Sequence, residues 1–171
     1  LGISREEVDT IVQTHLHPDH VGWLIDEDHH QSLTFPNATV FVSRTELDYW
    51  LGSKADPQRL EFVRRCIVPV HEAGHIEPVD GEWEIPSSPS ASLTMLPTPG
   101  HTPGHCSLLL SSGGERLLIT GDVAYHPAHL IRPEWPTFLE HDPAEAERSR
   151  RKVAELAIAQ NALVTGGHFG I

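Results

Sequence analysis

Residues 10–20 of the chain, TIVQTHLHPDH, join an apolar stretch directly to a histidine cluster. The stretch TIVQT, residues 10–14, is rich in β-branched side chains and predicts a short strand. Four side chains that can bind a metal follow within six residues: His15, His17, Asp19 and His20. Imidazole and carboxylate groups suit zinc and similar divalent ions, and Pro18 restricts the turn that carries them. The sequence therefore predicts a metal-binding loop at the end of a strand.

Three later segments each place one ligand-type residue directly after a predicted strand. They are residues 96–101 (LPTPGH), 120–122 (TGD) and 165–168 (TGGH), which end at His101, Asp122 and His168. Each has an ordinary explanation when it is taken alone, such as a turn glycine, a helix-capping aspartate or a loop histidine. Ligand sites in mixed sheets gather at the carboxyl ends of strands, however, and all four clusters occupy that position. We therefore interpret the four clusters as parts of one site.

The remaining pattern mixes helices with strands. Four helices are predicted from signals typical of a helix start. The signals are Ser4 with Glu7, Ser43 with Glu46, Asp56-Pro57, and Asp142-Pro143 with Glu145. In the same order, the helices are expected to end near Val8, Leu51, Cys66 and Gln160. Strands are predicted over residues 10–14, 38–42, 93–96, 106–110, 116–120 and 162–165. A Gly113-Gly114 turn joins two of these strands, whereas residues 23–35, 68–92 and 127–136 show mainly loop and turn signals. This order predicts a mixed sheet with helices packed on it.

Length and composition narrow the classes of protein and partner. The chain of 171 residues is long enough for one domain with a hydrophobic core. Its net charge of -12 repels phosphate backbones, so a small-molecule substrate is expected and nucleic acid is not. No apolar run reaches the ~18 residues of a membrane span, and an oligomer is compatible with the composition. No signal-peptide pattern is present, but the start at Leu1 indicates a piece of a longer protein, so this absence says little. The localisation is left open, with the cytoplasm favoured.

Taken in order, the motifs HLHPDH, TPGH, TGD and GGH resemble the metal-binding signature of the metallo-β-lactamase-fold hydrolase superfamily. The resemblance runs over residues 14–168, and its first motif is highly specific. It implies an α+β fold, the four-layer αββα sandwich, with residues 1–171 forming a single domain. The family's first strands, and a further Asp before the first motif, have no counterpart in this sequence. The sandwich is therefore expected to be incomplete at its N-terminal side.

The resemblance also implies a dinuclear metal centre and its ligands. It assigns His15, His17 and His101 to one ion, Asp19, His20 and His168 to the other, and Asp122 to a bridge. The expected ions are two divalent metals, zinc first, with manganese, iron or cobalt as alternatives. Two such ions roughly 3.5–4 Å apart activate water and polarise the bond to be cleaved. Asp122 is thus expected to be catalytic as the bridge, and Asp19 to have a secondary role in handling the proton.

Two further segments, residues 17–23 (HPDHVGW) and 35–50 (FPNATVFVSRTELDYW), resemble a group that holds N-acyl homoserine lactonases and methyl parathion hydrolase-like phosphotriesterases. In the lactonases a tyrosine at the spacing of Tyr125 from Asp122 binds the lactone carbonyl. A core or rim tyrosine explains Tyr125 equally well. The leading hypothesis is a metallo-hydrolase of esters, lactones first. His105, four residues after His101, could orient the turn or contact a ligand residue, but a purely structural role is favoured.

Other activities of the same fold stay open as alternatives. Phosphotriesters and the thioesters of glyoxalase II-like enzymes are the alternative substrates. Zinc β-lactamases of the best-known subclass carry Cys where Asp122 stands, so β-lactamase activity is disfavoured. An iron-dependent redox enzyme is a second class, although the di-iron type usually has Glu at the position of His17. A non-catalytic metal-binding module is the third class.

Overall fold

The computed structural model describes residues 2–26, 32–52, 57–86, 88–137 and 139–170. The chain divides into two compact units, Leu1–Val79 and Asp80–Ile171. Each unit has its own sheet and its own helices, which confirms the α+β class. The single domain over residues 1–171 stays a prediction. Among the described residues, no helix has both the length and the apolar character needed to cross a bilayer.

The first unit is built on a parallel sheet. Its elements, in chain order, are β1 (Thr10–Val12), α1 (Pro18–Val21), β2 (Ile25–Asp26), β3 (Ser32–Leu33), β4 (Thr39–Ser43), α2 (Arg44–Leu51), α3 (Pro57–Glu72) and β5 (Ile76–Val79). The sheet order is β1-β4-β5, and β2 and β3 pair separately as an antiparallel hairpin. Val40 and Val42 in the central strand β4 are buried, as expected for a parallel strand with neighbours on both sides.

Helix α3 is longer than the sequence predicts, because it ends at Glu72 rather than near Cys66. Pro69 lies inside it, and a proline in a helix interior costs about 3 kcal/mol. The helix nevertheless continues, because its apolar stripe packs into the core of the first unit on both sides of Pro69. That stripe consists of Val63, Cys66, Ile67 and Val70. Asp56, the predicted cap of this helix, lies outside the described residues.

The second unit is built on a five-stranded sheet. Its elements, in chain order, are β6 (Trp83–Ile85), β7 (Ala91–Pro97), β8 (Cys106–Ser112), β9 (Glu115–Ile119), α4 (Ala128–Ile131), α5 (Pro143–Ala159) and β10 (Leu163–Thr165). The sheet order is β10-β9-β8-β7-β6. Strand β8 is antiparallel to both β7 and β9, and β10 is parallel to β9. Strands β7, β9 and β10 therefore run in one direction, and their carboxyl ends share one edge of the sheet.

Several local predictions are confirmed in the second unit. Gly113 and Gly114, with φ of 58° and 85°, form the two-residue turn between β8 and β9. Helix α5 begins at its predicted cap, where Asp142 Oδ1 accepts a hydrogen bond from the Glu145 N–H at 3.0 Å. The core of this unit lies between the sheet and α5, with Leu118 and Val153 among its buried members.

The structure differs from the sequence-based predictions at four places. Strands β2, β3, β5 and β6 lie in segments where mainly loop and turn signals were found, since these strands are short and their pattern is weak. A helical turn, α4, interrupts the predicted loop 127–136. The first helix is a 3-10 turn, Arg5–Glu7, although its capping contact from the Ser4 N–H to Glu7 Oε2 forms at 2.8 Å. Ser43 makes no side-chain capping bond at the start of α2, and the Glu46 carboxylate accepts from the Leu16 N–H instead.

Candidate metal centre

The loop after β1 brings its histidines together inside the first unit. His15 and His17 are buried, and His15 Nε2 lies 3.1 Å from His17 Nδ1. The ring centroid of His20 lies 4.0 Å from that of His15. Asp19 is mainly exposed, with Oδ2 at 3.5 Å from His20 Nε2. The four predicted ligands of this motif therefore form one cluster, which opens to solvent at Asp19.

Backbone geometry explains how this short stretch folds into a cluster. Helix α1 starts at Pro18, which is suited to the first helical position because it needs no hydrogen-bond acceptor there. His17 still has extended backbone, with φ −68° and ψ 155°, so the chain changes direction between the two residues. Asp19 and His20 then lie on a single helical turn that follows the buried pair.

Glu46 anchors the middle of this loop, a role that the sequence analysis missed. Its carboxylate is fully buried, and Oε1 accepts hydrogen bonds from the Leu16 N–H at 3.0 Å and from the Trp50 indole N–H at 2.7 Å. The Trp50 ring also packs edge-on against His17, with centroids 5.5 Å apart. Leu16 lies between two of the predicted ligands, so the hydrogen bond to Glu46 holds the backbone between His15 and His17 in place. The Ser43–Glu46 spacing suggested a helix cap and concealed this long-range contact.

The second unit gathers its own three predicted ligands at one edge of its sheet. His101, Asp122 and His168 follow the carboxyl ends of β7, β9 and β10. Asp122 Oδ2 lies 3.2 Å from His168 Nε2 and 3.6 Å from His101 Nε2. His101 and Asp122 are buried, whereas the His168 side chain is 39% exposed. One carboxylate oxygen thus faces two imidazole nitrogens, as expected from the common direction of the three strands.

Helix α5 holds the turn that carries His101. Gly100 has a φ of 129°, and a Cβ on it would lie 2.2 Å from the backbone N of Ala146. Its carbonyl accepts a hydrogen bond from the Asp142 N–H at 2.9 Å. The Ser149 hydroxyl donates to the Pro99 carbonyl at 2.5 Å. Glycine is required here because any side chain would overlap the helix backbone.

Tyr125 lies in the cluster of His101, Asp122 and His168 rather than in the hydrophobic core. Its hydroxyl lies 3.2 Å from His101 Nδ1, and its ring stacks on His168 with centroids 5.0 Å apart and planes 26° apart. The Tyr125 N–H donates to His129 Nδ1 at 3.2 Å. Partial burial, with a further contribution from the positive charge of Arg150, lowers the pKa of His129 and so favours the neutral ring that accepts this bond.

The donor sets of both clusters fit a divalent metal ion. Each set combines imidazole nitrogens with a carboxylate oxygen, and the closest of these atoms lie 3.1 to 3.6 Å apart. Nitrogen and oxygen donors of these kinds are typical zinc ligands. Several members are buried, where histidine and aspartate side chains need partners.

This chain is similar to known proteins of one family. The family model described as Metallo-beta-lactamase superfamily matches residues 1–168. The N-acyl homoserine lactonase AttM of Rhizobium radiobacter is 32% identical over 174 residues, which cover 98% of this chain and 60% of that protein. The chain therefore spans about 60% of the length of such curated relatives.

Solved structures show the same similarity. The dizinc quorum-quenching lactonase AidC, in complex with a product, is 26% identical with a TM-score of 0.82, covering 98% of this chain and 60% of that one. The hydrolase AbOPH of the beta lactamase superfamily is 29% identical with a TM-score of 0.82, covering 99% of this chain and 60% of that one.

Proposed function

This chain belongs to the metallo-beta-lactamase superfamily, and on that premise we propose that it forms the metal-binding part of a hydrolase that opens lactones. The observation that carries the proposal is the position of Tyr125, whose hydroxyl lies 3.2 Å from His101 Nδ1 within the ligand cluster of the second unit. Curated relatives that bear the name N-acyl homoserine lactonase support the same substrate class.

The proposal includes two divalent ions, zinc first. One is assigned to His15, His17 and His101, the other to Asp19, His20 and His168, with Asp122 as the bridge. Metal binding is supported by the clusters within the two units, because each of them gathers imidazole and carboxylate groups that suit a divalent ion. The division of the ligands between the two ions follows the family resemblance. A neighbouring structure described as a dizinc lactonase supports the same metal count.

The side chains of this protein have distinct tasks in such a reaction. Bound divalent ions supply an activated water and a Lewis acid for the carbonyl group. The Tyr125 hydroxyl can donate a hydrogen bond to the lactone oxygen on which negative charge develops. The exposed carboxylate of Asp19 is suited to accept and release a proton, since it lies at the open side of its cluster. The buried carboxylate of Asp122 holds a fixed position at the end of β9.

A hydrolysis panel with parallel metal analysis tests the proposal. The substrates are N-hexanoyl homoserine lactone, an aryl ester, a paraoxon-type triester and S-lactoylglutathione, each incubated with zinc-loaded protein. We expect the lactone to have the highest kcat/KM, and we expect H17A and H101A to lose both metal and turnover. The matched control is H71Q, which changes an exposed histidine on α3.

Each alternative activity has its own signature in this panel. A higher kcat/KM for the triester or the thioester would replace the lactone proposal with a phosphotriesterase or a glyoxalase II-like thioesterase. Iron as the dominant metal in protein purified without added metal would favour a redox enzyme. Full lactone turnover in metal-stripped H17A would contradict the metal-dependent mechanism altogether.

A further inference from the structure

We infer that His105 is a positioning residue that fixes Asp122 through a closed network of hydrogen bonds, an inference that rests on the proposed metal function. The His105 network comprises His105, Thr98, Ser107, Thr120 and the backbone of Asp122. All five residues are buried, and His105 and Ser107 have no exposed surface. The network joins the ends of β7, β8 and β9 to the turn that carries the proposed bridging carboxylate.

The contacts of the His105 network form a continuous path that starts and ends on the same turn. The Asp122 N–H lies 2.9 Å from His105 Nε2, and His105 Nδ1 lies 2.9 Å from Thr98 Oγ1. Thr98 Oγ1 lies 3.0 Å from Ser107 Oγ, which lies 3.0 Å from the Thr120 carbonyl oxygen. The path therefore returns to the chain two residues before Asp122.

The path ends at two backbone groups, the Thr120 carbonyl oxygen and the Asp122 N–H. Their chemistry determines which group donates and which accepts at every step between them. A carbonyl oxygen can only accept, so the single hydroxyl proton of Ser107 points to Thr120. Ser107 Oγ then accepts from the Thr98 hydroxyl, which in turn accepts from His105 Nδ1–H. A backbone N–H can only donate, so His105 Nε2 must be unprotonated to accept from Asp122. Both ends thus require the same state, a neutral imidazole with its proton on Nδ1.

This arrangement explains why a histidine at position 105 suits the turn that carries Asp122. Asp122 has φ −100° and ψ 17°, outside the regular helical region, and the preceding Gly121 has a φ of 56°. The Asp122 N–H consequently needs an acceptor from elsewhere in the buried interior. The imidazole ring spans from this N–H to the Thr98 side chain and carbonyl, with Nδ1 3.1 Å from the carbonyl oxygen. The direction in which the Asp122 carboxylate points therefore depends on the His105 ring, which hydrogen bonds hold on both sides.

The first test reads the tautomer directly and needs neither metal nor activity. Long-range ¹H–¹⁵N correlation spectra of the full chain at neutral pH separate a protonated Nδ1 from a protonated Nε2. The His105 signals are assigned by their disappearance in H105Q. We expect the neutral Nδ1–H tautomer for His105, and we expect S107A to weaken this preference because the relay to Thr120 is broken. A neutral Nε2–H tautomer in the wild-type chain would overturn the inference.

The second test separates positioning from simple packing with two substitutions of similar size. The Gln oxygen in H105Q can replace Nε2 as acceptor for the Asp122 N–H, whereas the shorter Asn in H105N retains only the contact to Thr98. Titration with Co²⁺, followed by visible absorption and by bound metal per chain, measures affinity. We expect H105N to bind Co²⁺ about 10–100-fold more weakly, and H105Q to lie closer to the wild type. H71Q is the control for loss of an exposed histidine.

The outcomes distinguish this inference from the proposed function. Folded H105N with wild-type Co²⁺ affinity would overturn the positioning role and leave the metal proposal intact. Equal losses in H105Q and H105N, despite the acceptor retained in the former, would also overturn it. A wild-type chain that takes up no Co²⁺ would overturn the proposed function, and the positioning role would fall with it. Circular dichroism of each variant verifies that the comparison is made between folded chains.

Discussion

Gly100 allows the turn before His101 to lie directly against helix α5. We expect G100A to lower the free energy of unfolding by more than about 2 kcal/mol, because the new methyl group overlaps the Ala146 backbone and the φ of 129° disfavours a side chain. The displaced turn should also weaken metal binding, since it carries a proposed ligand. Urea unfolding monitored by circular dichroism measures the first effect, and Co²⁺ titration the second.

Gly113 provides a matched control for the same substitution. It also has positive φ, 58°, but no atom lies within 4 Å of the position of a Cβ on it. G113A therefore adds backbone strain of about 1–2 kcal/mol without an overlap, and metal binding should not change. Equal losses of stability in the two variants would show that close contact with α5 is not what requires glycine at position 100.

His129 should make the stability of the protein depend on pH. Its pKa is lowered from the ordinary value of 6.5, mainly by burial, with Arg150 and His126 acting in the same direction and Glu140 opposing them. The unfolded chain therefore binds more protons at mildly acidic pH. The stabilisation is present above the ordinary pKa and is lost as the pH falls through the lowered one. Urea unfolding between about pH 7.5 and about pH 5 should show this fall, and it should be smaller in H129Q.

The control for this prediction is again an exposed histidine. H71Q, at a histidine on the surface of α3, is the matched substitution to be measured beside H129Q. An identical fall in the unfolding free energy of wild type and H129Q would contradict the assignment to His129. The bond from the Tyr125 N–H to His129 Nδ1 adds to the expectation, since a protonated ring cannot accept it.

At the scale of elements, helix α2 stabilises the first ligand loop through Glu46. E46A leaves the Leu16 N–H and the Trp50 indole N–H buried without their acceptor, at about 1–3 kcal/mol for each. E46Q retains an oxygen at the same place and should lose much less stability. Chemical unfolding of the three proteins measures the difference. D48A, an exposed change on the same helix, should lie within about 0.5 kcal/mol of the wild type.

Two other outcomes would contradict a stabilising role of the Glu46 acceptor oxygen. If E46Q were as unstable as E46A, the negative charge of Glu46 rather than its acceptor oxygen would stabilise the loop. If neither variant lost stability, the hydrogen bonds to Leu16 and Trp50 would contribute nothing net to folding.

Elements with strong local sequence signals were predictable, and elements without such signals were not. Helix α5 has a capping aspartate and a proline at its start, and the β8–β9 hairpin has a Gly-Gly turn that permits positive φ. Strand β6 has only three residues and no comparable signal. Helix α3 passes through Pro69 because long-range packing outweighs a local cost, and no local pattern reveals such packing.

For the whole molecule, the clustering of the candidate ligands was predictable because each of them follows a strand, and the carboxyl ends of strands are where ligand sites gather. His101, Asp122 and His168 followed predicted strands, and the parallel direction of β7, β9 and β10 explains why they meet. The groups that hold these ligands were not predictable. Glu46 acts across 30 positions of sequence and His105 across 17, and separations of this kind leave no spacing pattern. The local sequence thus indicates which side chains could bind a metal, whereas tertiary contacts determine where those side chains lie.

Zinc should stabilise the folded chain strongly if the ligands of both units bind two ions. At about 100 times its Kd, each ion adds about 2.7 kcal/mol, which corresponds to a rise of about 10–20 °C in Tm for two ions in a chain of this size. Differential scanning fluorimetry with and without Zn²⁺, paired with atomic emission analysis of bound metal, measures both quantities. Mg²⁺ is the control, because it prefers six oxygen ligands and should leave the Tm unchanged. In the H17A/H101A double variant the zinc-dependent rise should shrink. A full rise in that variant, or an equal rise with Mg²⁺, would mean that zinc stabilises the chain somewhere other than at the proposed ligands.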